Sequence, residues 1–354
     1  MSRDYVTVTA EQLRGACVPL FEGLGTPRGE AEAVVDVHVD SDLRGEESHG
    51  VRMLDVHLKR IKAGGNLAQS RVTVLKDRKA VALLDAHHSL GQVVAVQAME
   101  MAIAKAREYG IGMVGVRNAN SYTSAKYYPL MAVNADMIGK TYTNSVPMMP
   151  PHGGTQARVG NNPLSIAAPA GDEFPVILDM ACTIAVEKVR QAGAEDKPIP
   201  PDWALGRDGD PTTDAKEALE AYTFLPFGGY KAFGLGVAHE MLTSVLCGGG
   251  LFTSPGAGFR PFDNVYNCCQ YFEAINIDWF LPVAEFRQRM DSMIRQIKNT
   301  PLRSGFDALY LPGERGIREM VRRKRDGIPI HVSTLADLRR WAVEVGIEPL
   351  KVEV

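Results

Sequence analysis

The sequence lacks the features that mark several large classes of protein. Its 354 residues include 39 Lys and Arg against 42 Asp and Glu, a net charge of −3, so the basic excess typical of nucleic-acid binders is missing. No apolar run approaches the roughly 20 residues of a spanning helix, and the first residues lack the apolar core of a signal peptide. We therefore expect a cytoplasmic protein that binds neither nucleic acid nor membrane.

Cysteine is scarce and shows no metal-binding or disulfide pattern. The five cysteines include no CxxC pair, and only Cys268 and Cys269 are adjacent, so we expect mostly buried thiols. His87 and His88 are neighbours, but neither HExxH spacing nor a third ligand accompanies them, and we predict no metal site. A G-x-S-x-G turn and a Walker loop are also missing, so hydrolase and NTPase functions lack support.

The chain begins with a helical pattern. Thr9 and Gln12 have the spacing of a capping box, and the helix after them has one apolar face. Thr26 and Pro27 predict the start of a second helix, with Thr26 as its N-cap and Pro27 as its first residue. A composition of 45% hydrophobic and 23% charged residues is that of an ordinary globular enzyme.

From about Arg71 onward, short β-branched runs alternate with helical ones, which predicts an α/β sheet. We expect strands over 72–75, 81–84, 111–116, 137–143, 164–168, 176–179 and 272–277. Helices are expected over 92–109, 232–246, 283–298, 317–324 and 335–345. The expected parts are an N-terminal helical portion (1–70), an α/β core (71–299), and a C-terminal helical segment (300–354) that packs with the first. The stretches 198–201 and 248–261 are loops long enough to be functional.

One motif points to a function that its position contradicts. The stretch 110–115, from Gly110 to Gly115, matches G-x-G-x-x-G, which ordinarily marks a dinucleotide-binding turn between a strand and a helix. Here the motif closes a predicted helix and opens a predicted strand, so no helix N-terminus faces a diphosphate. We interpret it as a helix C-cap followed by a closely packed strand.

A segment with mixed chemistry lies between two predicted helices. Ser48, His49 and Arg52 place a hydroxyl, an imidazole and a guanidinium within five residues. Histidine suits proton exchange with a carbonyl or hydroxyl oxygen, and arginine can bind a carboxylate with two hydrogen bonds. A capping or packing histidine is the alternative.

Polar residues also follow several predicted strands, where α/β proteins commonly form clefts. Ser121 follows one strand, and Thr143 with Asn144 ends the next, although ordinary turns use the same residue types. Asp179 ends an apolar run, where a helix N-cap is the alternative interpretation. Lys231 follows a glycine pair and Tyr230, and either contacts a phosphate or carboxylate or is solvated.

Together these segments resemble the malate/L-lactate dehydrogenase family of the non-Rossmann type, which includes ureidoglycolate and sulfolactate dehydrogenases, 2,3-diketogulonate reductase and piperideine-2-carboxylate reductase. The resemblance covers nearly the whole chain. Its markers are Ser48-His49-Gly50, Asp85-Ala86-His87, Gly91-Gln92, Gly110-Ile111-Gly112, Thr143-Asn144-Ser145, Gly160, Asn162-Pro163, Asp179-Met180-Ala181, Pro211-Thr212-Thr213-Asp214, Gly229, Lys231 and Pro312-Gly313.

The resemblance implies a mixed-sheet α/β core unrelated to the Rossmann domain and similar to L-sulfolactate dehydrogenase, with helices from both chain ends. It implies that this core, residues 71–299, binds the cofactor and the substrate. It also implies a homodimer and a nicotinamide cofactor, NAD or NADP, which carries the hydride. His49 would be the proton donor. The implied cofactor contacts are Pro175, Val176, Ile177, Leu178, Asp179, Met180, Ala181, Tyr230, Lys231, Gly313, Glu314 and Arg315.

The chain departs from the family pattern at several places. Ser121 stands where relatives commonly have a second histidine, and Asn161 and Ala232 replace a threonine and a glycine. Arg52 follows His49 by three residues, where several relatives place an arginine four residues after. These changes affect the positions that would select a substrate.

Three functions remain open from the sequence. The first is an NAD(P)-dependent dehydrogenase or reductase for a small 2-oxo or 2-hydroxy acid, in which Ser48 or Asp179 orients His49 and Arg52 or another arginine binds the substrate carboxylate, with Ser121, Thr143 and Asn144 in the pocket. The second reduces a cyclic imine such as a piperideine or pyrroline carboxylate. The third is a catalytically silent, cofactor-binding dimer.

Overall fold

A seven-stranded mixed sheet organises the chain. The computed structural model describes residues 4–184, 186–252 and 260–352. The predicted loop 248–261 therefore lies partly outside the described residues.

The described residues form eleven α-helices and thirteen β-strands. The helices are α1 (Ala10–Glu22), α2 (Arg28–Leu43), α3 (Leu54–Ala63), α4 (Gly91–Tyr109), α5 (Tyr127–Val133), α6 (Val186–Ala194), α7 (Ala215–Ala221), α8 (Tyr230–Glu240), α9 (Val283–Lys298), α10 (Glu314–Asp326) and α11 (Val332–Glu344). The strands are β1 (Tyr5–Val8), β2 (Thr73–Arg78), β3 (Val81–Asp85), β4 (Ile111–Ala119), β5 (Met137–Thr143), β6 (Pro147–Met149), β7 (Val159–Gly160), β8 (Leu164–Ala168), β9 (Val176–Met180), β10 (Ala204–Leu205), β11 (Thr223–Phe224), β12 (Cys268–Asn276) and β13 (Ile328–His331).

The main sheet has the strand order β2-β3-β4-β12-β5-β8-β9. Only β3 and β4 pair in parallel, and the other neighbours are antiparallel. Its core is a cluster of buried apolar side chains from the strands and from α4 and α5, including Val114, Phe272 and Tyr128. The predicted mixed α/β core is therefore confirmed, and β9, the strand that ends near Asp179, is an edge strand of this sheet.

A second apolar cluster joins the two ends of the chain. Leu13, Val35 and Leu54, from the first three helices, pack with Trp341 of α11. The indole N–H of Trp341 donates a hydrogen bond of 2.9 Å to Asp55, and β1 pairs with β13 in an antiparallel ladder. The helical contribution from both termini is confirmed, whereas the boundaries at 70 and 299 stay a prediction.

Local sequence signals explain how the first helices begin. The capping box is confirmed, since the Thr9 hydroxyl accepts from the Gln12 N–H and the Gln12 side chain accepts from the Thr9 N–H. The prediction that Thr26 caps α2 is wrong, because Pro27 is the N-cap and the helix begins at Arg28. The N–H of Thr26 instead donates to the Phe21 carbonyl at 3.0 Å, so this buried residue closes the turn after α1.

The G-x-G-x-x-G stretch has the predicted packing role. Gly110 is the left-handed C-cap of α4. A Cβ on Gly112 would lie 1.9 Å from the Ala102 carbonyl oxygen, and one on Gly115 would lie 2.6 Å from the Cys247 sulfur. The motif therefore lets β4 approach the helices packed on it.

The buried thiols expected from the sequence are also confirmed, since all five cysteines are buried and free. Within residues 4–184, 186–252 and 260–352, no helix combines the length and apolarity that crossing a bilayer requires.

The packing of Trp341 gives a test of the joined chain ends. We expect Trp341→Ala to lower the free energy of unfolding by about 3–5 kcal/mol, because it removes a large buried side chain and leaves a cavity. Val343→Ala is the matched control on the same helix, since Val343 is 71% exposed, and it should change stability by less than about 0.5 kcal/mol. Urea unfolding measures both, and equal effects would contradict the packing.

Candidate active site

A buried carboxylate fixes the Ser48-His49-Gly50 segment. The segment consists of two short 3₁₀ turns, Glu47–His49 and Val51–Met53, with Gly50 between them. Asp42 Oδ2 accepts a 2.8 Å hydrogen bond from the Val51 N–H, and a Cβ on Gly50 would lie 1.8 Å from Asp42 Oδ1. Burial raises the pKa of Asp42 to about 7. Glycine is therefore required next to His49 because the carboxylate occupies the space of a side chain.

A second buried residue, His38 of α2, holds the same backbone from beneath. Its Nδ1 lies 2.8 Å from the carbonyl oxygen of His49 and 3.1 Å from that of Gly50, and because carbonyls only accept, Nδ1 carries a proton and donates. Burial lowers the pKa of His38 to about 4, so the ring is neutral at pH 7. His38 therefore positions the backbone of His49.

Interior hydrogen bonds connect this segment to the Ser121 loop. Nε2 of the buried Gln92 lies 3.5 Å from His38 Nε2 and 3.1 Å from His57 Nε2, and it donates to Thr123 Oγ1 at 2.7 Å. Thr123 has a φ of +69°, which is strained for a β-branched residue. Its N–H donates to Ser121 Oγ at 3.4 Å. The two polar segments found in the sequence are therefore joined through the protein interior.

His49 lies at the surface of the chain with one ring nitrogen engaged. Ser48 Oγ is 3.0 Å from His49 Nδ1, which leaves Nε2 available to a ligand. Desolvation by the surrounding protein lowers the pKa of His49, the negative charge of Asp179 opposes this shift, and Arg52 adds to it. Desolvation therefore favours the neutral ring, and Asp179 stabilises its charged form.

Asp179 lies in strand β9, and α6 begins only at Val186, so the alternative of a helix N-cap is wrong. Asp179 Oδ2 is 3.5 Å from the Nζ of Lys126, a buried lysine that also contacts the Glu46 carboxylate. Sequence reasoning missed Lys126. Its position could have been noticed, since Lys126 is the single charged residue between small and aromatic residues in the stretch 121–128.

Arg52 is bound to another side chain of the protein. Its Nη2 is 3.1 Å from Glu187 Oε1 on α6, and both side chains are about half exposed. Glu187 also lies 3.6 Å from Arg190. The guanidinium that the sequence suggested as the binding group for a substrate carboxylate is therefore already paired with the carboxylate of Glu187.

Thr143 and Asn144 have their polar atoms engaged within the protein. Thr143 Oγ1 lies 2.9 Å from the carbonyl oxygens of both Asn144 and Cys269, which share its one hydroxyl proton. The Asn144 side chain donates to Ser244 Oγ at 2.7 Å and accepts from the Cys269 N–H at 2.7 Å. Both residues are buried and join β5 to β12 and the helix end at Ser244, and their assignment to a substrate pocket stays a prediction.

The three segments expected to contact a cofactor lie along β9. At one end, Ile177 donates a 3.0 Å hydrogen bond to the Pro312 carbonyl, and Gly313 packs so closely that its Cβ would be 2.7 Å from that of Ile177. At the other end, the Phe227 N–H donates to the Cys182 carbonyl at 3.2 Å, just before Tyr230 and Lys231 begin α8. The structure therefore brings together residues far apart in the sequence.

The side chains of these segments differ in their surroundings. Glu314 is buried and accepts hydrogen bonds from Lys298 and Arg318, both at 2.7 Å. Its side chain therefore stabilises the start of α10. Arg315 is exposed and lies 4.6 Å from the centre of the Tyr310 ring, and Tyr230 and Lys231 are exposed. Across the part of the chain that the structure describes, no ion pair involves Lys231 or Arg315, and no group of three His, Cys, Asp or Glu could bind a metal.

Comparison with known proteins places this geometry in a family. The profile of the malate/L-lactate dehydrogenase family matches residues 8–339. A malate dehydrogenase from Pyrococcus abyssi is 37% identical over 99% of this chain and 98% of its own length. An Escherichia coli ureidoglycolate dehydrogenase (NAD(+)) is 32% identical over 82% of both chains. The solved sulfolactate dehydrogenase from Methanocaldococcus jannaschii superposes with a TM-score of 0.90 at 36% identity, covering 97% of this chain and 98% of that one.

The contact between residue 50 and Asp42 leads to a stability test. Gly50→Ala should lower the free energy of unfolding by about 1–3 kcal/mol, because the added methyl group overlaps a buried carboxylate that is itself hydrogen bonded. Gly15→Ala is the control, since nothing lies within 4 Å of its Cβ in helix α1, and it should be neutral or gain up to about 1 kcal/mol. Chemical unfolding measures the stability of both variants. An unchanged free energy of unfolding in Gly50→Ala would show that the loop does not depend on this contact.

Proposed function

Because this chain belongs to the malate/L-lactate dehydrogenase family and is an oxidoreductase enzyme, we propose that it transfers a hydride between a nicotinamide cofactor and a small 2-oxo or 2-hydroxy acid. The observation that carries the proposal is the position of His49. Its backbone is fixed by Asp42 and His38, and its ring faces the charge of Asp179 on the edge strand β9.

The proposed proton chemistry belongs to His49. In the reducing direction, Nε2 of the imidazolium donates its proton to the C2 oxygen of the oxo acid, which becomes a hydroxyl group, and the ring is left neutral. The Ser48 hydroxyl at 3.0 Å keeps the ring oriented, and Asp179 stabilises the charged ring before transfer. Water returns the proton. The reverse direction uses the neutral ring as a base.

For the substrate carboxylate we propose Arg52, in competition with Glu187. A guanidinium binds either carboxylate with the same geometry, and the exposed ion pair to Glu187 is worth only about 1 kcal/mol or less, so a substrate can displace it. Ser121 is proposed to face the same pocket, where its hydroxyl is smaller than the imidazole common at that position in relatives.

The residues along β9 fit a dinucleotide. The backbone of an edge strand offers hydrogen-bonding groups, Gly313 allows close approach, and two exposed cations, Lys231 and Arg315, lie at opposite ends of the strand. We propose that residues 175–181, Tyr230, Lys231 and 313–315 contact the cofactor, which is NAD or NADP. When bound, the nicotinamide supplies or accepts the hydride at C2 of the substrate.

The direct test is turnover by the purified protein. We expect oxidation of NADH or NADPH with at least one member of a panel of 2-oxo acids, followed at the absorbance of the reduced nicotinamide, and His49→Gln should lower kcat by about 10²–10⁴-fold. Cofactor affinity, measured by fluorescence titration, should change little, because the imidazole transfers a proton and does not bind the dinucleotide. His87→Gln is the control, a partly exposed histidine that contacts Thr73.

Two outcomes would replace this proposal. Turnover only with cyclic imines such as piperideine-2-carboxylate would make the chain an imine reductase. Cofactor binding without turnover of any acid or imine would make it a catalytically silent binding protein. Full activity of His49→Gln would refute the role of that residue in either enzyme.

We further propose that the chain forms a homodimer through the helix surface that continues α8. Met241, Val245 and Leu246 are 60, 61 and 60% exposed, and they form an apolar surface next to the helix that begins with Tyr230 and Lys231. A second copy is the proposed occupant because the family resemblance implies a homodimer. Self-association about a two-fold axis would cover the same surface on both copies.

Val245→Asp tests the dimer, since a charge placed in a closed apolar interface stays unpaired. We expect the wild type to have the mass of a dimer by size-exclusion chromatography with light scattering, and Val245→Asp that of a monomer. Val343→Asp is the control. Val343 is 71% exposed on α11, outside the proposed interface, so a charge there should leave the dimer intact. A wild-type monomer, or a dimeric Val245→Asp, would contradict the proposed interface.

A further inference from the structure

A buried lysine lies between two carboxylates next to the active-site histidine. Lys126, from the segment that precedes α5, is only 7% exposed. Its Nζ is 3.5 Å from Asp179 Oδ2 on β9 and also contacts the carboxylate of Glu46, which precedes the His49 turn. Burying an ammonium group is costly unless it is paired. The lysine therefore joins three separate segments at one point beside His49.

We infer that Lys126 is a positioning residue of the proposed reaction: its ammonium group holds the Asp179 carboxylate and partly cancels the negative charge that His49 faces. The inference rests on the proposed function, because that function assigns the proton transfer to His49. Lys126 acts through Asp179, and no contact between Lys126 and the substrate is required.

The other charged groups nearby are already paired. The groups that act on His49 are Asp179, Arg52, Glu187 and the buried, neutral His38, and those that act on Lys126 are Asp179, Glu46, Arg44 and Asp40. Arg52 is 3.1 Å from Glu187 and Arg44 is 2.7 Å from Asp40, so each of these pairs largely cancels itself. Glu47 is 3.2 Å from Arg323, and Asp42, whose pKa burial raises to about 7, contacts the backbone that follows His49. Since Lys126 contacts Asp179 and Glu46, replacing Lys126 or Glu46 changes the charge of this cluster and leaves the other groups in place.

The sign of the effect follows from these charges. Two carboxylates and one ammonium leave one net negative charge, and removing the ammonium leaves two. The side chains of Asp179 and Glu46 are 22 and 36% exposed, so both carboxylates are less buried than the lysine between them. Added negative charge favours the imidazolium form, and the pKa of His49 should rise.

The experiment is an NMR titration of the histidine rings in the full-length protein. The chain has eight histidines, and the His49 resonance is identified by its loss in His49→Gln. In Lys126→Met, we expect the pKa of His49 to rise by about one pH unit. The pH at which turnover is half-maximal should move in the same direction by a similar amount.

Three matched variants separate charge from structure. Lys126→Arg keeps the charge and should leave the pKa of His49 near the wild-type value. Lys105→Met removes a buried lysine that pairs with Asp77 on another part of the sheet, and it should have no effect. Glu46→Gln removes one negative charge, keeps an acceptor for Lys126, and should lower the pKa of His49.

Each outcome decides the inference. An unchanged or lowered pKa of His49 in Lys126→Met overturns it, as does an equal shift in Lys105→Met. If Lys126→Met does not fold, as judged by circular dichroism, the decision passes to Glu46→Gln, where an unchanged or raised pKa overturns it. If the shifts occur as expected and the wild type turns over no substrate, the proposed function fails while the charge relation between Lys126 and His49 stands.

Discussion

The contact between the Asp42 carboxylate and the backbone of residues 50 and 51 determines where His49 lies. Asp42 belongs to the last turn of α2, a helix whose apolar face is buried in the cluster that joins the chain ends. Arg323 of α10 donates to the Asp42 carbonyl at 2.8 Å, and its guanidinium also lies 3.2 Å from Glu47. The position of one surface imidazole thus depends on helices from both ends of the chain.

The candidate site forms where three independent segments meet. The His49 turn comes from the helical cluster, the segment from Ser121 to Lys126 follows β4, and Asp179 comes from the edge strand β9. Gln92 links the first two from the inside, and Lys126 links all three near the surface. Cofactor-contact candidates lie along the same strand as Asp179, so a single edge of the sheet can place proton and hydride chemistry side by side.

Regular patterns were sufficient to predict most of the fold. β5, β8 and α9 follow the predicted ranges because apolar periodicity and clear turns bound them. Helix α5 was missed because it has seven residues and contains Pro129. The site was harder to predict. Ser48 and His49 stand out as a local motif, but only the tertiary structure brings His38 to the backbone of His49 and Gly50, and Arg52 to Glu187.

The joined chain ends have a consequence for how the protein is made. The first helices, including α2 with His38 and Asp42, leave the ribosome early, but Trp341 and the strand that pairs with β1 are synthesised only after the whole α/β core. Until then the apolar faces of the first helices are not packed against the C-terminal residues that bury them in the folded protein. Contacts of such long sequence separation form slowly. The helices around the His49 turn therefore complete their packing only after the C-terminal segment is made, so the turn gains its final geometry late in folding.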